Sequence, residues 1–246
     1  MVLVRVPLSV SALWYPVIGN TTSESGSIGI SITLEPALIA EVRKGEGVKL
    51  NGNEVHVPNL NFLERKLGKV RMEVFSRVPL GYGYGMSGAM SLAYALGISE
   101  ISGIKTENAV EVAHESEVIT GNGLGDVLSE LHGGVVCREN AGSPSKATFH
   151  NFYPEDRIIL TKTVEKLPTK SILSRVEWVP SSVKNLCNSL NIERIFNEAR
   201  RFTEALGFVS PYADSYRKKG IIVKMGNFES GVWTVHTIAR KGASVV

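Results

Sequence analysis

Cysteine is scarce in this chain: two residues, Cys137 and Cys187, in 246, with neither CxxC nor Cys/His spacing around them. That scarcity argues against a disulfide framework and a structural zinc site, and it suits a reducing cytoplasm. Long apolar runs are missing too. No stretch approaches the roughly 20 apolar residues that a membrane helix needs. The opening segment Met1–Pro7 reads as a strand and lacks the charged start and apolar core of a signal peptide. A soluble, cytoplasmic protein is expected, with no membrane partner. Charge is nearly balanced, with 27 Lys and Arg against 24 Asp and Glu and a formal net charge of +3. So slight an excess requires no nucleic acid; an acidic metabolite or a nucleotide accounts for it. The pair Arg200-Arg201 and the run Arg217-Lys218-Lys219 are bordered by acidic or aromatic residues and read as solvated helix faces. Internal repeats and low-complexity tracts are absent.

What is present is an ordinary globular composition, 43% hydrophobic and 21% charged, in a chain long enough for one domain or two modest ones. Ser27–Leu34 alternates with period two, the mark of a half-buried strand. The stretch 48–57, broken by Asn51-Gly52-Asn53, reads as a hairpin, and Lys69–Val78 alternates again. A helix is expected over Met86–Leu96, ended by Gly97, and a second from an N-cap at Thr106 to Gly121-Asn122-Gly123. Turns and strands fill Leu131 to Phe152. Pro154-Glu155-Asp156 is the expected boundary, with strand Arg157–Val164, a helical stretch Ser181–Leu206 and a closing strand pair near Ile221–Met225 and Val232–Ile238 beyond it. This pattern suggests a β-rich α+β domain over 1–153 and a smaller α+β domain over 154–246.

The strongest chemical signal is Gly81-Tyr-Gly83-Tyr-Gly85-Met-Ser87-Gly88, between a strand and a helix. Glycines there let the backbone approach a ligand, and a helix start offers free N–H groups and partial positive charge. Together they make a phosphate site. It is not a P-loop, because the lysine of GxxxxGK[ST] is missing. Gly83-x-Gly85-x-x-Gly88 matches the dinucleotide fingerprint, but the preceding strand alternates, Pro79 interrupts the junction, and no apolar strand ending in an acid follows.

A second constellation runs from His114 to Arg138. His114 and Glu117 share a helix face, Glu115 points elsewhere, and a glycine-rich turn then ends on Asp126. A hard cation needs oxygen ligands, and phosphoryl transfer needs a cation. Glu117 opposite Ser87 meets both needs. Spacing alone leaves open an exposed Glu117 and an Asp126 that merely caps the next helix.

Pro79-Leu-Gly81-Tyr-Gly83-Tyr-Gly85-Met86-Ser87-Gly88-Ala89 resembles the second motif of the GHMP kinase superfamily, and its Met-Ser-Gly form is similar to that of the archaeal pantoate kinases. The run Gly121-Asn-Gly123-Leu-Gly125-Asp126, then Gly133-Gly134-Val-Val-Cys137-Arg138, resembles the same kinases over its whole length. The likeness implies a GHMP kinase fold, with an N-terminal domain like domain 2 of ribosomal protein S5 and a C-terminal ferredoxin-like domain. It implies ATP held by the loop from Pro79 to Ala89, Mg²⁺ held by Ser87 and Glu117, and Asp126 at the attacking hydroxyl. It further implies pantoate bound by Ser27, His114 and Arg138, and a homodimer. Cys137, on an apolar strand beside Arg138, is expected to be a buried thiol. Two places depart from the pattern. Pantoate kinases usually carry Pro-Gly-His near the start, where this chain has Pro7-Leu8-Ser9; the counterpart of the third motif, Lys224–Gly231, has only two glycines.

Overall fold

The computed structural model describes residues 1–155, 157–165, 175–226 and 232–246. Asp156 of the expected boundary and residues 227–231 of the expected glycine-rich motif lie outside them. The chain opens with two long strands, β1 (Val2–Val17) and β2 (Gly26–Lys44), paired antiparallel over almost their whole length. A small hairpin follows, β3 (Val48–Leu50) and β4 (Asn53–Glu54). Asn51 and Gly52 both take positive φ at its turn, as a primed turn requires. Next come α1 (Pro58–Leu67), β5 (Val70–Phe75), α2 (Met86–Ser102), α3 (Thr106–Thr120), α4 (Asp126–His132), β6 (Val135–Arg138) and β7 (Phe149–Phe152). The second half supplies β8 (Ile158–Thr163), α5 (Val179–Ser189), α6 (Ile192–Ala205), β9 (Ser215–Lys218), β10 (Ile221–Met225), β11 (Thr234–Ile238) and β12 (Ser244–Val245).

The described strands form one sheet with β2 as its spine, and helix and strand content is the expected α+β mixture. Along its length β2 pairs with β1 on one side, and on the other with β6, then β11, then β5. Beyond β11 the order is β8, β10, β9. β1 is buried without interruption from Val6 to Leu13, the run of a strand covered on both faces. α2 is buried nearly all round, so Ala89, Met90, Leu92, Ala93 and Leu96 act as core rather than as one stripe of a surface helix. Truncating Met90 to Ala there is worth about 2–5 kcal/mol of stability.

Four expectations are corrected. α2 runs on through Gly97 to Ser102, because the missing Cβ leaves room for Val42, and Gly103 ends it at φ +73°. Thr106 is the first residue of α3 and caps nothing; its hydroxyl meets Ser99 Oγ at 3.0 Å. The helical stretch over 181–206 breaks at Leu190 (φ +45°), and Asn191 Oδ1 caps α6 by accepting from the Arg194 amide at 2.8 Å. The closing strands β10 and β11 are not partners; β8 lies between them.

The cysteines also depart from expectation. Cys137 on β6 and Cys187 on α5 are joined in a disulfide, with Cα atoms 5.7 Å apart. Cys137 is buried as expected, but as half of a bridge. A separation of 50 residues conceals the pairing, because it is the packing of α5 against β6 that brings the two together. Cysteine usage therefore gives no support to a reducing compartment. Among the described residues no helix is long and apolar enough to cross a membrane.

Candidate active site

The glycine-rich loop enters α2 through three left-handed glycines, at φ +92° for Gly81, +108° for Gly83 and +68° for Gly85. A Cβ on Gly85 would collide with Ser9 Oγ and with Glu130. No side chain caps α2, and the first helical bond is Ala89 N–H to Gly85 O at 3.0 Å. The amides of Met86, Ser87 and Gly88 thus precede that first bond, at the positive end of the helix dipole. Beside this helix start lies a cleft of about 740 Å³ lined by Gly81, Gly83, Gly85, Met86, Ser87 and Asp126, within the size range of small-ligand pockets. Pro79 is exposed just before the loop. Gly88 and Ala89 are buried behind it, and Gly88 is close enough to Asp126 that a Cβ would lie 3.0 Å from that residue's own Cβ.

Glu117, on α3, is fully buried and faces the start of α2: Ser87 Oγ donates to its two oxygens at 3.1 and 3.4 Å, and Asn59 Nδ2 donates to Oε1. Burial, reinforced by the nearby Asp126 charge, pushes the Glu117 carboxyl up to about 8. Once a cation draws off its proton, this buried carboxyl beside a hydroxyl, with no cationic side chain bonded to it, is an oxygen donor set suited to a hard ion. Glu115 points the other way, towards Lys66 at 3.9 Å.

Asp126 opens α4 and lies at the floor of the cleft. Gly123 has to be glycine, since a Cβ would overlap the Asp126 carboxylate. Ser9 Oγ lies 3.2 Å from Asp126 Oδ1 and 2.9 Å from Glu130 Oε1. One hydroxyl proton cannot serve both acids. Burial, and then Asp126, push the fully buried Glu130 carboxyl well above its usual range, which favours the protonated acid that a chain from Glu130 through Ser9 to Asp126 requires.

Arg138, at the end of β6, is buried and held by neutral oxygens only: Ser27 O at 3.0 Å, Ser31 Oγ at 3.0 Å and Ser129 Oγ at 2.6 Å. Burial lowers it to about 10, which leaves the guanidinium charged at neutral pH. Gly125 lies over the fork, where any side chain would strike it. Arg138, Ser27, Trp14 and Gly125 line a second, smaller pocket beside the cleft. His114 lines neither. Its Nε2 sits 3.0 Å from Ser25 O and 3.2 Å from Thr22 O, where it ties down the turn that precedes Ser27.

The two pockets meet. Asn122, Gly123, Asp126, Lys218 and Lys219 line both. The two lysines overturn the expectation of a solvated helix face. Lys218 ends strand β9 and is buried, with Nζ 3.3 Å from Ser11 Oγ, and Lys219 stands in the turn to β10. Ser9, Asn59 and Glu130 were missed as well. Asn59 rides on α1, whose start is signalled by Pro58 at the first helical position and by Leu60, Leu63 and Leu67 at helical spacing.

Residues 56–134 match the family described as GHMP kinases N terminal domain. The solved structure entitled "Phosphotransferase related to CoA biosynthesis pathway" superposes with a TM-score of 0.85 at 22% identity, covering 100% of this chain and 99% of that one. Mevalonate-3-kinase from Thermoplasma acidophilum, bound to mevalonate 3-phosphate and ADP, gives 0.65 at 10% identity, covering 100% and 97%. A protein solved with MVAPP, AMPPCP and magnesium gives 0.64 at 12% identity, covering 100% and 98%. The family match takes in the glycine loop, Glu117 and Asp126, and the chain shares its fold with solved structures that include nucleotide-bound forms.

The curated proteins it resembles include archaeal pantoate kinases. The pantoate kinase of Thermococcus kodakarensis is 28% identical over 227 residues, 83% of this chain and 75% of that protein. That of Methanocaldococcus jannaschii is 28% identical over 201 residues, 76% and 74%.

Proposed function

We propose that this protein transfers the γ-phosphoryl group of ATP to the primary hydroxyl of pantoate, giving 4-phosphopantoate for coenzyme A synthesis. One observation carries the reading: Asp126 stands where the glycine-loop cleft opens into the pocket of a buried, still-charged Arg138. A hydroxy acid whose carboxylate takes the Arg138 fork would present its alcohol near Asp126, facing a nucleotide whose phosphates lie on the loop.

The amides that open α2 would hold the phosphates, with Gly81, Gly83 and Gly85 keeping the approach free of side chains. Ser87 and Glu117 would hold Mg²⁺, which when bound supplies neutralising charge at the phosphates. Asp126 would orient the alcohol and accept its proton; the Ser9–Glu130 chain behind it fixes its carboxylate. Ser27 would line the pantoate pocket, and His114 would act through the turn that carries Ser27.

The test is ATP consumption by the purified protein with Mg²⁺ against pantoate, homoserine and mevalonate in parallel. Turnover is expected with pantoate at a kcat/KM at least about tenfold above the others; all three offer a carboxylate to Arg138, so the preference reports the fit of the pocket around the rest of the molecule. Preference for homoserine or mevalonate would replace pantoate as the substrate.

A further inference from the structure

Phosphoryl transfer concentrates negative charge between the nucleotide and the acceptor, and cations placed there speed it. At the start of the chain, where a basic residue would be within reach, stands Pro7-Leu8-Ser9, and the Ser9 hydroxyl is already engaged by Asp126 and Glu130. Among the described residues the only lysines or arginines lining the glycine-loop cleft are Lys218 and Lys219. Lys218 is buried behind the junction, bonded to Ser11, with Asp126 as the acid acting on it most strongly. It is a counter-charge for Asp126.

Lys219 is placed differently. It lines both pockets, and no ion pair of its own is formed among the described residues. Asp126, which lines both pockets with it, is the acid acting on it most strongly. Its backbone is left-handed, φ +50°, a conformation that favours glycine or asparagine over lysine. Next to it, Gly220 packs so closely on Glu165 O that no side chain fits, with Tyr82 O of the glycine loop beside it. An unfavourable backbone at a position that aims a charged group into a cleft marks a functional residue.

We propose that Lys219 is a catalytic residue of the phosphotransfer, its ammonium donating to the phosphoryl group in transit. The proposal rests on the kinase reading above. In the step, the bond from the γ-phosphorus to the β,γ-bridging oxygen breaks as the alcohol oxygen bonds to phosphorus. The alcohol proton passes to Asp126, and the bridging electron pair leaves with the diphosphate. Lys219 stabilises charge that is largest midway, so it acts on kcat more than on ground-state binding.

Lys219→Gly is the informative variant, because glycine accepts φ +50° without strain and the turn is kept. Its kcat with ATP and pantoate is expected to fall about 10²–10³-fold, with both KM values within about threefold of wild type and an unchanged or higher Tm. Lys219→Asn, which also tolerates the left-handed backbone, is expected to lose as much. A kcat within about threefold of wild type in either variant, or a loss carried by KM alone, overturns the assignment. If instead the wild-type chain phosphorylates none of pantoate, homoserine and mevalonate, the kinase reading itself fails and Lys219 falls with it; the two failures are told apart by the wild-type control.

Discussion

Two basic clusters in the second half of the chain read alike in sequence and ended in opposite places. Arg200 and Arg201 lie on α6. Arg200 donates to Glu204 Oε1 at 2.9 Å and to the carbonyls of Tyr212 and Ser210 at 2.7 and 3.2 Å, pinning the segment after the helix. Arg201 is 62% exposed, 3.4 Å from Glu198, and lies over the Trp178 ring. Lys218 and Lys219, by contrast, close the site. The fold uses one cluster for stability and the other for chemistry. Burial holds Lys218 below its ordinary value more strongly than Asp126 and Glu130 raise it. The charged lysine is therefore a net burden on the folded state, kept for what it does there.

That contrast can be broken at each residue. After the Lys219 variants, Lys218→Met is expected to have the largest effect, a fall in kcat of about 10²-fold as Asp126 loses its counter-charge, with Tm unchanged or raised. A large drop in Tm at unchanged kcat would reverse the assignment of roles. Arg200→Ala should act the other way, costing about 2 kcal/mol in denaturant unfolding through three charge-assisted bonds, with kcat and KM as in wild type. Impaired turnover at full stability would show that α6 reaches the site. The smallest change is expected for Arg201→Ala, about 0.5 kcal/mol, because an exposed ion pair and an exposed ring contact are each weak. A loss of 2 kcal/mol there would mean that its contact with Trp178 is a packing contact of the core.

Much of this was legible before the structure. Period-two stretches located β2 and β5, and the glycine loop with the Glu117–Asp126–Arg138 spacing marked residues that the fold sets around two adjoining pockets, Glu117 behind Ser87, Asp126 at the junction and Arg138 in the smaller one. The boundaries failed where packing overrides local preference. Gly97 looked like a helix end and is instead the place where α2 touches Val42. Pro58 carried a start signal, but the polar residues that follow hid α1 and with it Asn59, whose amide meets Glu117. Lys218 could have been read from the alternation of Ser215 to Lys218 and the Lys219-Gly220 turn before Ile221, a hairpin pattern rather than a helix face. Nothing in the sequence tells of the Cys137–Cys187 bridge or of Glu130 under the loop, since both depend on which elements the fold stacks.

The strand β11, set between β2 and β8, bears on how such a chain is made. His236 Nδ1 meets Glu35 O across 201 positions of sequence, and the ladder beside it joins the two halves. Until β11 has left the ribosome, the central stretch of β2 and the flank of β8 present unpaired backbone to the surroundings. Contacts so distant are slow to form, because loop closure precedes the reward. During synthesis the phosphate loop can fold early with α2, whereas Lys218 and Lys219 can join it only after β8, β9 and β10 have assembled. The nascent protein would thus acquire a place for nucleotide phosphates well before it acquires the means to move one.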